Sequence, residues 1–96
     1  MDRTAALTLL KAHKPVLAEH FGVARLALFG SNARDTAGPD SDVDVLVAFD
    51  GPATSERYFG VQFYLEDLLD RSIDLVTEKA LRERLRPYVE RDAIAV

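Results

Sequence analysis

The chain has 96 residues, which is enough for one domain with a small sheet and a few covering helices. It contains no cysteine, and this excludes both a disulfide scaffold and a thiolate metal site. The net charge of −4 argues against general binding of a nucleic-acid backbone, although a small nucleotide can bind with the help of a metal cation.

Export and membrane insertion are not indicated by the sequence. The first residues include the charged Asp2 and Arg3 and lack the apolar run of a signal peptide. No stretch approaches the roughly 20 apolar residues of a membrane span. We therefore expect one cytoplasmic domain over residues 1–96, without membrane contact or direct nucleic-acid binding.

The predicted elements alternate between helices and strands. Asp2 can cap a first helix, which Pro15 either divides in two or kinks and which Gly22 ends. Strands follow at Arg25–Phe29, Asp42–Phe49 and Ser72–Thr77, where short apolar runs are bounded by turn residues. Helices are predicted over 32–35, from Ser55 along an apolar stripe, and over 78–91 with a break near Pro87.

This order predicts an α/β (α+β) fold with a small mixed sheet of three to four strands covered by helices. The second half of Asp42–Phe49 is apolar on both faces, so this strand is expected in the middle of the sheet. Residues 93–96 are either a terminal strand or a frayed tail.

Gly30 and Ser31 stand between a predicted strand and a predicted helix. Glycine lets an anion approach the backbone, and the free N–H groups at the start of a helix point toward it. The hydroxyl of Ser31 adds a donor. A simple turn and helix cap is the commoner role of such a pair, so these two residues alone do not establish a phosphate site.

Three carboxylates form the more informative pattern. Asp42 and Asp44 are two residues apart on a strand, which places both on one face, and two like charges there call for a cation. For that pair alone, a solvated strand start is the plainer explanation. Asp74 lies at the centre of an apolar strand, where an unpaired buried carboxylate is rare. If the two strands are neighbours, all three carboxylates can converge on two Mg²⁺ ions, or on Mn²⁺.

With Gly30-Ser31, ten intervening residues and Asp42-x-Asp44, followed by Asp74 on a later strand, the chain resembles the DNA-polymerase-β-like nucleotidyltransferases. The preceding LALF strand and the Ala33-Arg34 pair are similar to the branch called minimal nucleotidyltransferases. The resemblance extends from about residue 20 to residue 96.

The resemblance implies roles for individual residues. Gly30, Ser31 and Arg34 would contact the nucleotide, and three aspartates would be catalytic residues and metal ligands: Asp42, Asp44 and Asp74. The chain departs from the family pattern at Asn32 and Asp35, where many members have a basic residue and a glycine. The lower positive charge weakens the expected grip on phosphates but does not affect the metal site.

By resemblance, we expect a Mg²⁺-dependent enzyme that transfers AMP from ATP, or a nucleotide from another nucleoside triphosphate, to a tyrosine of a HEPN-type toxin. The chain would thus be an antitoxin, active as a homo- or hetero-oligomer. One alternative is a binding-only antitoxin that masks the toxin, which has no need of three aspartates. The others are a small-molecule nucleotidyltransferase with a separate acceptor-binding subunit and a regulatory α/β module without activity.

The aromatic residues of the helix after Ser55 are expected in the core or at an interface rather than against a nucleobase: Tyr58, Phe59, Phe63 and Tyr64. His13 and His20 lie far from the aspartates in sequence, and a helix-surface role is expected for both.

Overall fold

The computed structural model describes residues 2–33, 42–80 and 93–96, with Ser31 and Asn32 described by their backbone only. The elements follow the predicted order: α1 (Arg3–Phe21), β1 (Val23–Phe29), α2 (Gly30–Ala33), β2 (Val43–Phe49), α3 (Ser55–Leu69), β3 (Ile73–Thr77) and β4 (Ile94–Ala95). Residues 78–80 are helical, and the rest of the helix predicted over 78–91 lies outside the described residues.

Helix α1 begins and ends as its sequence predicts. The Asp2 carboxylate accepts a hydrogen bond from the Ala5 N–H at 2.8 Å, and Gly22 ends the helix with φ of 71°. Pro15 lies inside one continuous helix, which excludes two separate helices. Leu10 and Leu17 pack into the same core on either side of Pro15, and this holds the helix together across the proline. Within the described ranges, no helix is long and apolar enough to cross a bilayer.

The four strands form a sheet in the order β3-β2-β1-β4. Strand β2 pairs antiparallel with β1 and parallel with β3, so its predicted central position is confirmed. Strand β4 pairs antiparallel with β1, and this decides between the two alternatives for residues 93–96. The Val96 N–H donates to the Leu26 carbonyl at 3.0 Å, while Lys14 Nζ donates to the Val96 carbonyl at 2.7 Å.

The main core lies on one face of the sheet. Helices α1 and α3 contribute buried residues to it, and the strands add every second side chain. In β2 these are Val43, Val45 and Val47, and in β3 they are Ile73 and Leu75. The intervening residues lie on the opposite face, where a second, smaller cluster consists of Phe29, Leu46, Val76 and Ala93.

Truncating a core residue of α3 tests the importance of this main core. Leu65 has 0% exposure and packs between the helices and the sheet. Leu65→Ala should lower the free energy of unfolding by about 2–5 kcal/mol, because it leaves a cavity. Phe63→Ala is the control on the same helix, since Phe63 is 62% exposed, and should cost less than about 1 kcal/mol. Urea denaturation measures both values; equal costs would contradict the assigned core.

Candidate functional site

Two carboxylates lie side by side on the face of the sheet opposite the main core. Asp44 of β2 and Asp74 of β3 are direct partners in the parallel register, and Phe29 of β1 is the antiparallel partner of Asp44. These three residues form one row across the sheet, and neighbouring strands are about 4.8 Å apart. The expected proximity of the two strands is thereby confirmed, and Asp44 and Asp74 share a face.

Gly30 lies directly against the Asp44 carboxylate. Its φ of 70° falls in the left-handed region, which glycine adopts without strain. A Cβ atom at this position would overlap Asp44 Oδ2 and would lie 3.0 Å from Asp44 Cγ. The absence of a side chain therefore lets the β1–α2 turn pass over the carboxylate.

The other predicted site residues lie around this centre. Asp42 is exposed and immediately precedes β2, two residues before Asp44. Ser31 lies in the first turn of α2, directly after Gly30, as the sequence predicts. Arg34 lies outside the described residues. The predicted roles of these three residues in binding remain predictions.

Asp74 is exposed, contrary to the expectation of a buried carboxylate. Its neighbours Ile73 and Leu75 are buried in the main core, and strand alternation turns Asp74 to the other face. An apolar strand with one central charge therefore does not require a buried charge. What brings a cation to this pair is the proximity of two like charges rather than the loss of hydration.

Comparison with known proteins places this geometry in a family. The model of the nucleotidyltransferase domain family matches residues 10–96, which include every predicted site residue. The protein adenylyltransferase MntA of Thermococcus cleftensis is 38% identical over 89 residues, covering 93% of this chain and 90% of the relative. The chain belongs to the nucleotidyltransferase domain family.

Solved structures agree with this assignment. One described as a minimal nucleotidyltransferase superposes with a TM-score of 0.84 at 38% identity, covering 100% of this chain and 97% of the other. A more distant neighbour is a complex of tri-AMPylated Shewanella oneidensis HEPN toxin with MNT antitoxin. It matches with a TM-score of 0.60 at 19% identity, covering 97% of this chain and 66% of that chain, and supports the fold alone. The predicted family and mixed α/β fold are confirmed, and the chain is a nucleotidyltransferase.

In this nucleotidyltransferase the donor types at the site fit a divalent cation, because carboxylate oxygens are the ligands that Mg²⁺ and Mn²⁺ prefer. The backbone brings Asp44 and Asp74 together and leaves Asp42 two residues away. Among the described residues, however, no group of three His, Asp or Glu side chains is positioned to hold a metal ion. Binding by all three aspartates therefore requires side-chain rotation, which is easiest for the exposed Asp42 and Asp74.

Tyr58 supports the strand that carries Asp74, a contact that the sequence did not reveal. Its hydroxyl donates a hydrogen bond to the main-chain carbonyl of Leu75, the residue after Asp74. Burial raises the pKa of the Tyr58 phenol, and the negative charge of Asp74 raises it further. Sequence periodicity assigns Tyr58 to the apolar stripe of α3 and contains no signal for a bond to β3.

Gly30→Ala tests the close approach to Asp44. The positive φ should cost about 1–2 kcal/mol of unfolding free energy, and the new methyl group should displace the Asp44 carboxylate. We expect nucleotidyl transfer to fall by about a hundredfold in a protein that remains folded. Gly51→Ala is the control, because its Cβ would lie 3.5 Å from Arg57 Nη1, an ordinary contact. Activity that survives Gly30→Ala would show that the Asp44 position is not critical.

The raised pKa of Tyr58 predicts a dependence of stability on pH. A pKa raised in the folded state means that stabilisation is complete below the unfolded-state value of about 10 and is lost as pH rises through the folded-state value. The difference in unfolding free energy between wild type and Tyr58→Phe should therefore be constant up to about pH 10 and shrink above it. Urea denaturation between about pH 8 and 11.5 measures it. A difference that stays constant throughout would contradict the assigned environment.

Proposed function

We propose that this chain is a Mg²⁺-dependent protein adenylyltransferase that transfers AMP from ATP to a tyrosine of a HEPN-type toxin and so acts as its antitoxin in the cytoplasm. The observation that carries the proposal is the in-register pair of Asp44 and Asp74 beside the Gly30 turn. The name of the Thermococcus relative supports AMP transfer to protein. The AMPylated toxin in the Shewanella complex supports the acceptor class.

The nucleotide would bind at the turn between β1 and α2. Backbone N–H groups from Gly30 onward, the Ser31 hydroxyl and the Arg34 guanidinium are the donors proposed for the triphosphate. The carboxylates of Asp42, Asp44 and Asp74 would hold two Mg²⁺ ions, or Mn²⁺ ions in their place. When bound, these cations neutralise phosphate charge and lower the pKa of the attacking hydroxyl.

The reaction is an in-line displacement at the α-phosphorus of ATP. A bond forms between the acceptor tyrosine oxygen and that phosphorus, while the bond to the β-phosphate oxygen breaks and releases pyrophosphate. The tyrosine proton passes to the Asp74 carboxylate and from there to water, for which the exposure of Asp74 is an advantage. The Tyr58–Leu75 hydrogen bond holds β3 in place at the base during this step.

A binding-only antitoxin would share the fold but would not depend on the carboxylates. In a mixture of ATP, Mg²⁺ and the product of the neighbouring gene, the wild type should add AMP to that protein, as measured by intact-protein mass spectrometry. Asp44→Asn and Asp74→Asn should each lower the rate by at least about a hundredfold, because each removes a carboxylate at the reacting phosphate. Removal of Mg²⁺ with a chelator should stop the reaction.

Asp50→Asn is the matched control. Asp50 is an exposed carboxylate that pairs with Arg57 at 3.0 Å, and it follows β2 at the end opposite to Asp44. We expect this variant to retain wild-type activity. No gain of AMP by the neighbouring protein with wild type would contradict the proposed acceptor. Neutralisation of the toxin that persists unchanged in Asp44→Asn would favour masking without chemistry.

A further inference from the structure

The solvent-facing side of α3 carries an acidic–aromatic stripe. Its members recur at helical spacing on the side away from the main core: Glu56, Phe59, Phe63, Glu66, Asp67 and the C-cap residue Asp70. Phe59 is 49% exposed and Phe63 is 62% exposed, and they are two of the most exposed large apolar residues in the described chain. Two adjacent exposed rings on one helix face are typical of an interaction surface.

The two rings are held in place before any partner arrives. Phe59 and Phe63 stack with their ring centroids 6.2 Å apart. Phe59 also meets the edge of Tyr58 at 5.2 Å, and the hydroxyl of Tyr58 is bonded to β3. Rings already fixed in this way lose little conformational freedom on binding, and this favours affinity.

The acidic members of the stripe do not serve the stability of α3. Glu56 lies in the first turn, where the helix dipole favours negative charge. Glu66, Asp67 and Asp70 lie at the other end, where the dipole disfavours it, and the last turn contains no basic residue. Within the described ranges, no ion pair between side chains neutralises these three carboxylates. Their position is therefore unfavourable for the isolated domain.

We propose that the acidic–aromatic stripe docks a basic protein surface in which lysine or arginine side chains surround an apolar pocket for Phe59 and Phe63. Nucleic acid and anionic lipid are both negatively charged and would be repelled. A second copy that docked through the same stripe would bring carboxylates against carboxylates. The charge thus selects a different, positively charged protein.

The occupant to which we commit is the toxin that carries the acceptor tyrosine, and this part of the inference rests on the proposed function. The stripe lies on the helix side of the sheet, whereas Asp44 and Asp74 lie on the other side. The toxin would therefore be held by α3 while a separate segment reaches past β3 to the carboxylates. The contacts from Phe59 through Tyr58 to the carbonyl next to Asp74 join the two surfaces.

Binding of the neighbouring-gene product is measured by calorimetry without ATP, so that the outcome does not depend on AMP transfer. Phe59→Ser/Phe63→Ser should weaken binding by at least about tenfold. With ATP and Mg²⁺, the same variant should raise the KM for that protein while kcat stays within about twofold. Glu66→Lys/Asp67→Lys should weaken binding in a second, independent way and reduce its sensitivity to salt between about 50 and 500 mM.

Val16→Ser and Glu19→Lys on α1 are matched controls for loss of an exposed apolar group and for charge reversal, and both should bind as wild type does. Circular dichroism confirms that every variant is folded. Unchanged affinity in both double variants would overturn the proposal, as would failure of the wild type to bind the neighbouring-gene product. Self-association of the wild type that Phe59→Ser/Phe63→Ser abolishes would also overturn it, in favour of a second copy. Binding without AMP transfer would leave the docking surface intact and contradict only the proposed activity.

Discussion

The parallel register between β2 and β3 is the constraint on which the rest of the site depends. It pairs Asp44 directly with Asp74, and it is maintained by the valines of β2 and by Ile73 and Leu75, which all need the buried face. A shift of one residue would exchange the two faces of a strand, and a shift of two would separate the carboxylates by about 7 Å. The burial of apolar side chains on one face therefore determines the chemistry on the other.

Much of this arrangement could be predicted from the sequence because local signals and burial agree. Asp2 and Gly22 delimit α1, apolar runs mark the strands, and the two-sided apolar half of β2 indicates its central position. The exposure of Asp74 could not be predicted, because a short apolar strand does not reveal whether one of its faces is open. The bond from Tyr58 to β3 depends on how a helix packs over a strand, which is a tertiary property that no spacing encodes.

The domain divides its tasks between surfaces. One face of the sheet and the inner sides of α1 and α3 supply stability, while the other face presents the carboxylates next to a small apolar cluster that includes Phe29. The outer side of α3 supplies neither, and its exposed rings and unfavourably placed acids make sense only in contact with another molecule. Such a division suits a minimal transferase whose acceptor is a folded protein, because docking and reaction can then use different surfaces.

The central claim is that Asp44 and Asp74 jointly bind the catalytic cation. The most direct measurement is anomalous diffraction from crystals of the protein grown with Mn²⁺ and a non-hydrolysable ATP analogue. The account predicts a Mn²⁺ peak in contact with carboxylate oxygens of both Asp44 and Asp74, at about 2.0–2.2 Å. A peak that contacts only the triphosphate, or that lies elsewhere on the molecule, would contradict it.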